Sequence, residues 1–110
     1  MATSNAAIEK ILADMRLSIS CKKCIPVNRK KNMDTLAQLG ITWQHAFNEM
    51  YELTSSDYHA GPEQDRDFPD SDSLWVFKKV VNGQIIYIKF KVMYQQNGET
   101  KIVSFHIDGV

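Results

Sequence analysis

The C-terminal third of the chain alternates between apolar and polar residues, the pattern of β-strands that bury one face. Three stretches, 74–81, 84–96 and 99–107, are rich in Ile, Val, Phe, Tyr and Trp, and Asn-Gly pairs separate them. An Asn-Gly pair between strands favours a tight type I′ turn, because both turn positions need positive φ angles. The pattern therefore predicts a three-stranded antiparallel meander, or a slightly larger antiparallel sheet.

Helical periodicity precedes these strands. In 4–16 the apolar residues recur at i, i+3, i+4 and i+7, and Ser4 or Asn5 can cap that helix. A second helix is predicted over 32–39, with Met33, Leu36 and Leu39 on its buried face and Gly40 as its stop.

A third helix is expected to begin at Thr42 and to carry its apolar stripe through Met50. Residues 17–28 are interpreted as short extended segments, and 58–73 as a long loop because of their glycine, prolines and carboxylates. Helices followed by a sheet predict an α+β fold, with the N-terminal helices packed on the sheet and one domain spanning 1–110.

Each two-residue turn would fix which residues lie opposite each other, and therefore which side chains share a face. The first turn places Val81 opposite Gln84, and the second places Gln96 opposite Glu99. One face is then apolar almost throughout and is expected to pack against the helices; it carries Trp75, Phe77, Ile86, Ile88, Phe90, Val92, Val103, Phe105 and Ile107.

The opposite face is predicted to gather basic residues around a tyrosine and a histidine. The register places Lys89 directly opposite His106, where Cβ atoms are within about 5.5 Å. The predicted cluster consists of Lys78, Tyr87, Lys89, Lys91 and His106. Lysines on an open antiparallel face can also serve solubility alone and discourage edge pairing, and that interpretation stays open.

Charge changes this picture. The chain has 13 Lys plus Arg against 13 Asp plus Glu, a neutral total that argues against a general nucleic-acid binder. The charges are nevertheless sorted into a basic block at 22–31, an acidic block at 57–72 and a second basic block at 78–101. Two cysteines, with no apparent secretory signal or apolar span, lead us to expect a cytoplasmic protein.

The predicted cluster suits RNA cleavage without a metal ion or other cofactor. Histidine titrates near neutral pH, so His106 can act as general acid or base, with Tyr87 as its partner. Lys89 can stabilise the negative charge that develops on the phosphoryl oxygens. Lys78 and Lys91 are predicted to bind the phosphates of the RNA.

Short motifs are spaced through residues 36–107. They are Asp57-Tyr58, Leu74-Trp75, Ile86-Tyr87-Ile88-Lys89 and Val103-Ser104-Phe105-His106. In this order the motifs resemble those of the MqsR family of type II toxin–antitoxin toxins. The resemblance implies a single RelE-like toxin domain over 1–110. It also implies an mRNA interferase that cleaves single-stranded mRNA and is neutralised by a cognate antitoxin protein.

The resemblance also implies roles for particular residues. The family's catalytic tyrosine matches Tyr87, and its C-terminal catalytic lysine matches His106. The family's lysine after the third helix falls on Ala60, beside His59, which is a further candidate for binding phosphate. Its glutamine after the strand tryptophan falls on Val76. The alternative function is a non-enzymatic interaction protein of the same fold that binds a protein partner through the basic face or a sheet edge.

Two other features leave alternatives open. Cys21 and Cys24 flank two lysines and could be plain reduced thiols, a redox pair or half of a metal site. The acidic run 65–72 lacks the glycine and the terminal glutamate of a calcium loop. We expect it to be a solvated loop, or to fold over the cationic sheet face and compete with phosphate.

Overall fold

The computed structural model describes residues 3–109 as three α-helices, one short 3₁₀ turn and five strands. The predicted α+β class is confirmed; α1 and α3 lie over one face of the sheet, and α2 lies along the edge of β5. The elements are α1 (Asn5–Ser20), β1 (Cys24–Pro26), α2 (Lys30–Leu39), α3 (Trp43–Tyr51), the 3₁₀ turn (Ser55–Asp57), β2 (Tyr58–Glu63), β3 (Leu74–Val81), β4 (Gln84–Met93) and β5 (Glu99–Ile107). No helix within residues 3–109 combines the length and the apolar character that crossing a membrane requires.

The sheet is larger than the predicted meander and is mixed, with the strand order β1-β5-β4-β3-β2. The meander forms its centre, while β1 adds a parallel edge and β2 an antiparallel one. The prediction of a loop over 58–73 is therefore wrong for 58–63. The pairing of β2 with β3 is interrupted by register shifts. Gly61 and Pro62 are residues typical of loops, which is why the sequence pattern did not indicate a strand here. At Gly61, φ is +120° and an added Cβ would come within 2.9 Å of the Leu74 carbonyl oxygen, which only glycine tolerates.

The ends of α1 and α3 follow the predicted capping chemistry. The Ser4 hydroxyl accepts a hydrogen bond from the Ala7 N–H, and the Thr42 hydroxyl accepts one from the His45 N–H. The predicted stripe of α1 is buried, and α1 continues to Ser20 instead of becoming extended after residue 16. These two helices therefore cover the apolar face of the sheet as their periodicity requires.

Helix α2 packs against the edge of β5 through polar side chains. The Asn32 amide donates a hydrogen bond to the carbonyl oxygen of Val103, and its oxygen accepts one from the Phe105 N–H. The Thr35 hydroxyl accepts one from the Ile107 N–H. Since β1 covers only the first residues of β5, these side chains satisfy the backbone groups that the short strand leaves open.

The predicted buried face of α2 needs a correction. Leu36 is buried, but Met33 is 42% exposed. Asn32 and Thr35 are buried instead. The edge of β5 presents backbone N–H and C=O groups that need hydrogen-bond partners, and a methionine side chain cannot supply them.

The first hairpin has the predicted register. Asn82 and Gly83 both have positive φ, and Val81 lies opposite Gln84. Phe77 consequently lies opposite Ile88, and Lys78 lies opposite Tyr87.

The predicted register of the second hairpin is wrong. Its strands end at Met93 and resume at Glu99, so five residues form the loop instead of two. The N–H of Tyr94 donates to Asp72, and the Tyr94 hydroxyl donates to Asp14, which draws the chain out of the ladder. Lys89 therefore lies opposite Ser104, and His106 lies opposite Tyr87.

A bulge in β5 places the residues that follow it on their predicted faces, so that His106 lies on the outer face and Phe105 on the inner face. Phe90 pairs with Ile102 and Lys89 with Ser104, which leaves Val103 unpaired between them. Val103 is only partly buried and leaves the predicted apolar set, while Ile102 enters it. The core then lies between this inner face and the helices, and its largest fully buried side chains are Phe77, Phe90, Phe105, Leu12, Met15 and Met50.

We expect the Asn32→Ala substitution to destabilise the protein by roughly 2–3 kcal/mol, because it leaves buried backbone groups of β5 without hydrogen-bond partners. Urea unfolding followed by circular dichroism measures this free energy. Met33→Ala is the matched control on the same helix and should change the free energy by less than about 0.5 kcal/mol. Equal midpoints for wild type and Asn32→Ala would contradict this account of the β5 edge.

Candidate functional site

The outer face of the sheet, opposite the helices, brings Tyr87 and His106 together. The two residues are directly opposed on β4 and β5, and their rings stack at 5.3 Å between centroids with 18° between planes. His106 is only 7% exposed, and the stacked tyrosine ring restrains the orientation of its imidazole. Lys78 lies opposite Tyr87 on β3, which makes one row of three chemically active side chains across the sheet.

A backbone contact sets the tautomer of His106. Its Nδ1 lies 3.0 Å from the carbonyl oxygen of Ile107. A carbonyl oxygen only accepts hydrogen bonds, so in the neutral ring Nδ1 carries the proton and Nε2 carries the lone pair. Nε2 is consequently the atom that can accept a proton from a substrate.

The next row of the outer face contains Lys89. It lies between Val76 on β3 and Ser104 on β5, and Ala60 on β2 lies opposite Val76. Lys89 is therefore a diagonal neighbour of His106 rather than its direct partner. Diagonal neighbours remain within about 8 Å, which keeps Lys89 beside the Tyr87–His106 pair.

The lysines of this face are paired with carboxylates. Lys78 Nζ lies 3.1 Å from Asp108 Oδ2, and Lys89 Nζ lies 3.7 Å from Glu63 Oε1. Both pairs are partly exposed, so each is individually weak and sensitive to salt. A stronger anion can replace these carboxylates.

Lys91 is separated from the cluster by the acidic segment. It is 3% exposed, and its Nζ lies 2.9 Å from Asp65 Oδ2 and 3.0 Å from the Ser71 hydroxyl. Residues 64–73 thus fold over this end of the face, one of the two outcomes expected for the acidic run. Burial raises the pKa of Asp65, but the Lys91 ammonium and two backbone N–H groups outweigh it and leave the pKa below its ordinary value.

His59 lies apart from the stacked pair. It is exposed on the edge strand β2, with β3 between it and Tyr87. Within residues 3–109 it makes no ion pair and no side-chain hydrogen bond. Of the predicted site residues, the structure brings together Lys78, Tyr87, Lys89 and His106.

A cleft of about 900 Å³ continues from Lys89 between the acidic segment and β5. The sequence alone gave no reason to group its basic and aromatic residues, because they come from four separate segments. Only the order of the strands and the fold of 64–73 bring them together. These basic and aromatic residues are Arg29, Arg66, Phe68, Lys89 and Lys101.

The cysteines are both free thiols. Cys21 is exposed, Cys24 is half-buried, and burial raises the pKa of Cys24 to about 11. Lysines beside a thiol in sequence would favour a lowered pKa, but burial penalises the thiolate and the pKa of Cys24 moves the other way. Between residues 3 and 109 no three His, Cys, Asp or Glu side chains lie close enough together to hold a metal ion.

Comparison with known proteins finds no counterpart: no protein-family model, no curated protein and no solved structure matches this chain.

The Asp65–Lys91 pair gives a pH prediction. Because the pKa of Asp65 is lowered in the folded state, the pair contributes stability above the ordinary Asp pKa of about 3.8. That stability is lost as the pH falls through the lowered pKa. Carboxyl chemical shifts in NMR should show Asp65 titrating below this value, and Lys91→Met should raise its pKa.

Lys101→Met is the matched control for this titration. Lys101 lies directly opposite Lys91 on β5 but makes no ion pair with Asp65 in the described chain. Its replacement should leave the lowered pKa of Asp65 in place. An Asp65 that titrates at or above the ordinary value in the wild-type protein would contradict the role of the ion pair.

Proposed function

We propose that this protein is a metal-independent endoribonuclease that cleaves single-stranded mRNA in the cytoplasm. In this proposal it is a RelE-like toxin of the MqsR kind that a cognate antitoxin neutralises. The observation that carries the proposal is the stacked Tyr87–His106 pair, which lies on the outer face of the sheet beside Lys78 and Lys89. Proton-transfer groups next to cations are what phosphodiester cleavage by an internal hydroxyl requires.

In the proposed reaction, Nε2 of His106 takes the proton of the ribose 2′-hydroxyl. The 2′ oxygen then forms a bond to phosphorus while the bond from phosphorus to the 5′ oxygen breaks. The hydroxyl of Tyr87 donates a proton to the leaving 5′ oxygen and is reprotonated from solvent, while the His106 imidazolium returns its proton to solvent. The products are a 2′,3′-cyclic phosphate and a 5′-hydroxyl, so no oxidant or reductant is consumed.

Lys78 and Lys89 have a separate task in this proposal. Each ammonium must exchange its carboxylate, Asp108 or Glu63, for an oxygen of the phosphate. The phosphoryl oxygens gain charge in the transition state, so they compete best at that stage of the reaction. Activity that depends on such an exchange falls steeply as salt is added.

We expect the purified protein to cleave single-stranded RNA in the presence of EDTA. His106→Ala and Tyr87→Phe should each reduce the rate about 10²- to 10⁴-fold, the usual contribution of a general acid or base. His45→Ala is the matched control, because His45 pairs with Glu49 on α3, in the helical layer. Gel analysis of a labelled RNA measures the rates.

His106→Gln accompanies these variants because it keeps a polar side chain of similar size at a buried position. A folded His106→Gln protein with wild-type cleavage would exclude His106 as the proton-transfer group. Unchanged cleavage by the double variant of His106 and Tyr87 would exclude the stacked pair as the site.

The second candidate function is a protein-binding module without catalysis. It is favoured by Val80 and Ile85, which are paired across β3 and β4 on the outer face of the sheet. Their side chains are 63% and 52% exposed. Exposed apolar side chains beside a partly neutralised basic face suit a protein partner. If no RNA is cleaved while Val80→Glu abolishes the binding of a co-purifying partner, this second function replaces the first.

A further inference from the structure

The cleft of about 900 Å³ is continuous with the proposed reaction site. Lys89 lines the cleft and is also the neighbour of Tyr87 two positions along β4, a spacing of about 7 Å. The opposite wall comes from the acidic segment and the floor from β5. A chain molecule whose reacting phosphate lies at Lys89 therefore extends into this cleft on one side.

The cations of the cleft are available for a ligand. Within residues 3–109, Arg29, Arg66 and Lys101 form no ion pair. The carboxylates of Glu63 and Asp65 also line the cleft, but they are engaged by Lys89 and Lys91. Asp67 is the remaining carboxylate of the lining, and Glu63 joins it when Lys89 binds the scissile phosphate, so three cations stand against two anions. The cleft thus favours a ligand with several negative charges.

Phe68 supplies the cleft with an exposed aromatic ring. The ring is 56% exposed, and the ammonium groups of Lys91 and Lys101 lie 5.3 and 5.0 Å from its centroid. Its backbone is nevertheless held, because the Phe68 N–H donates to Asp65 and the Ser71 N–H donates to the Phe68 carbonyl oxygen. An ordered but exposed phenylalanine above cations offers a surface on which a planar ring can stack.

We propose that the cleft binds the single-stranded RNA next to the scissile phosphate, with one unpaired base stacked on Phe68 and flanking phosphates bound by Arg29, Arg66 and Lys101. The proposal rests on the proposed function for the position of the scissile phosphate, while binding itself does not depend on cleavage. Single-stranded RNA supplies both the negative charges and the planar rings that this lining suits, whereas a paired base is not free to stack on Phe68.

The test uses a fluorescent single-stranded 2′-O-methyl RNA, which lacks the 2′-hydroxyl nucleophile and so reports binding alone. Anisotropy should show Phe68→Ala weakening the affinity about 5- to 150-fold, the range for the loss of one stacked base. Phe68→Trp should retain the affinity, and Phe68→Leu, which keeps an apolar side chain in the loop, should lose it. Tyr51→Ala removes an exposed aromatic side chain from α3 and is the matched control.

The cationic part of the cleft has its own readout. Arg66→Gln and Lys101→Gln should each lower the slope of log affinity against log salt by about 0.7, the value for one phosphate contact on a single strand. Equal slopes for these variants and the wild type would overturn the assignment of the phosphates.

The outcomes separate this proposal from the proposed function. Binding that depends on Phe68, without any RNA cleavage, would support the RNA-binding cleft and contradict the endoribonuclease proposal. Cleavage that depends on His106, with affinity unchanged in Phe68→Ala, would do the reverse. A wild-type protein that does not bind the 2′-O-methyl RNA overturns the proposal, and binding of an acidic peptide instead would assign the cleft to a protein partner.

Discussion

The burial of one face of β3, β4 and β5 is the constraint on which the rest of the molecule depends. Phe77, Phe90 and Phe105 contribute one ring from each strand to the core, and none is accessible to solvent. Because side chains alternate along a strand, this burial forces the residues between them onto the opposite face. The stacked Tyr87–His106 pair and the lysines beside it lie there as a consequence of the core.

That outer face is governed by competition between carboxylates and any anion that binds. Its two lysines next to the stacked pair carry exposed, replaceable partners, whereas Lys91 is buried with Asp65 and holds the acidic segment in place. The same segment that neutralises one end of the face builds a wall of the cleft and presents Phe68. A neutral chain can thus offer a local cationic site, since Asp65 is paired with Lys91 and Asp72 with the Tyr94 N–H to position the wall.

Predictions from sequence succeeded where the determining interactions are local. Asn82 and Gly83 require only their own positive φ angles, and the first hairpin has the expected register. The second Asn-Gly pair also has positive φ angles, but Tyr94 bonds to α1 and to the acidic segment, and the register moves. A bulge at Val103 compensates for this shift in register and places His106 on its predicted face. No local sequence pattern indicates this bulge.

The sequence by itself determined the helices, the central strands and the faces on which most of their side chains lie, because periodicity and turn chemistry act over a few residues. Only the tertiary structure decided that Asn32, rather than Met33, is buried against β5, and that Lys91 is withdrawn beneath Asp65. Only the tertiary structure, likewise, assembled the cleft from Arg29, Phe68 and Lys101. These outcomes depend on which unpaired backbone groups and charges meet across distant segments, and a burial pattern read along one chain does not contain that information.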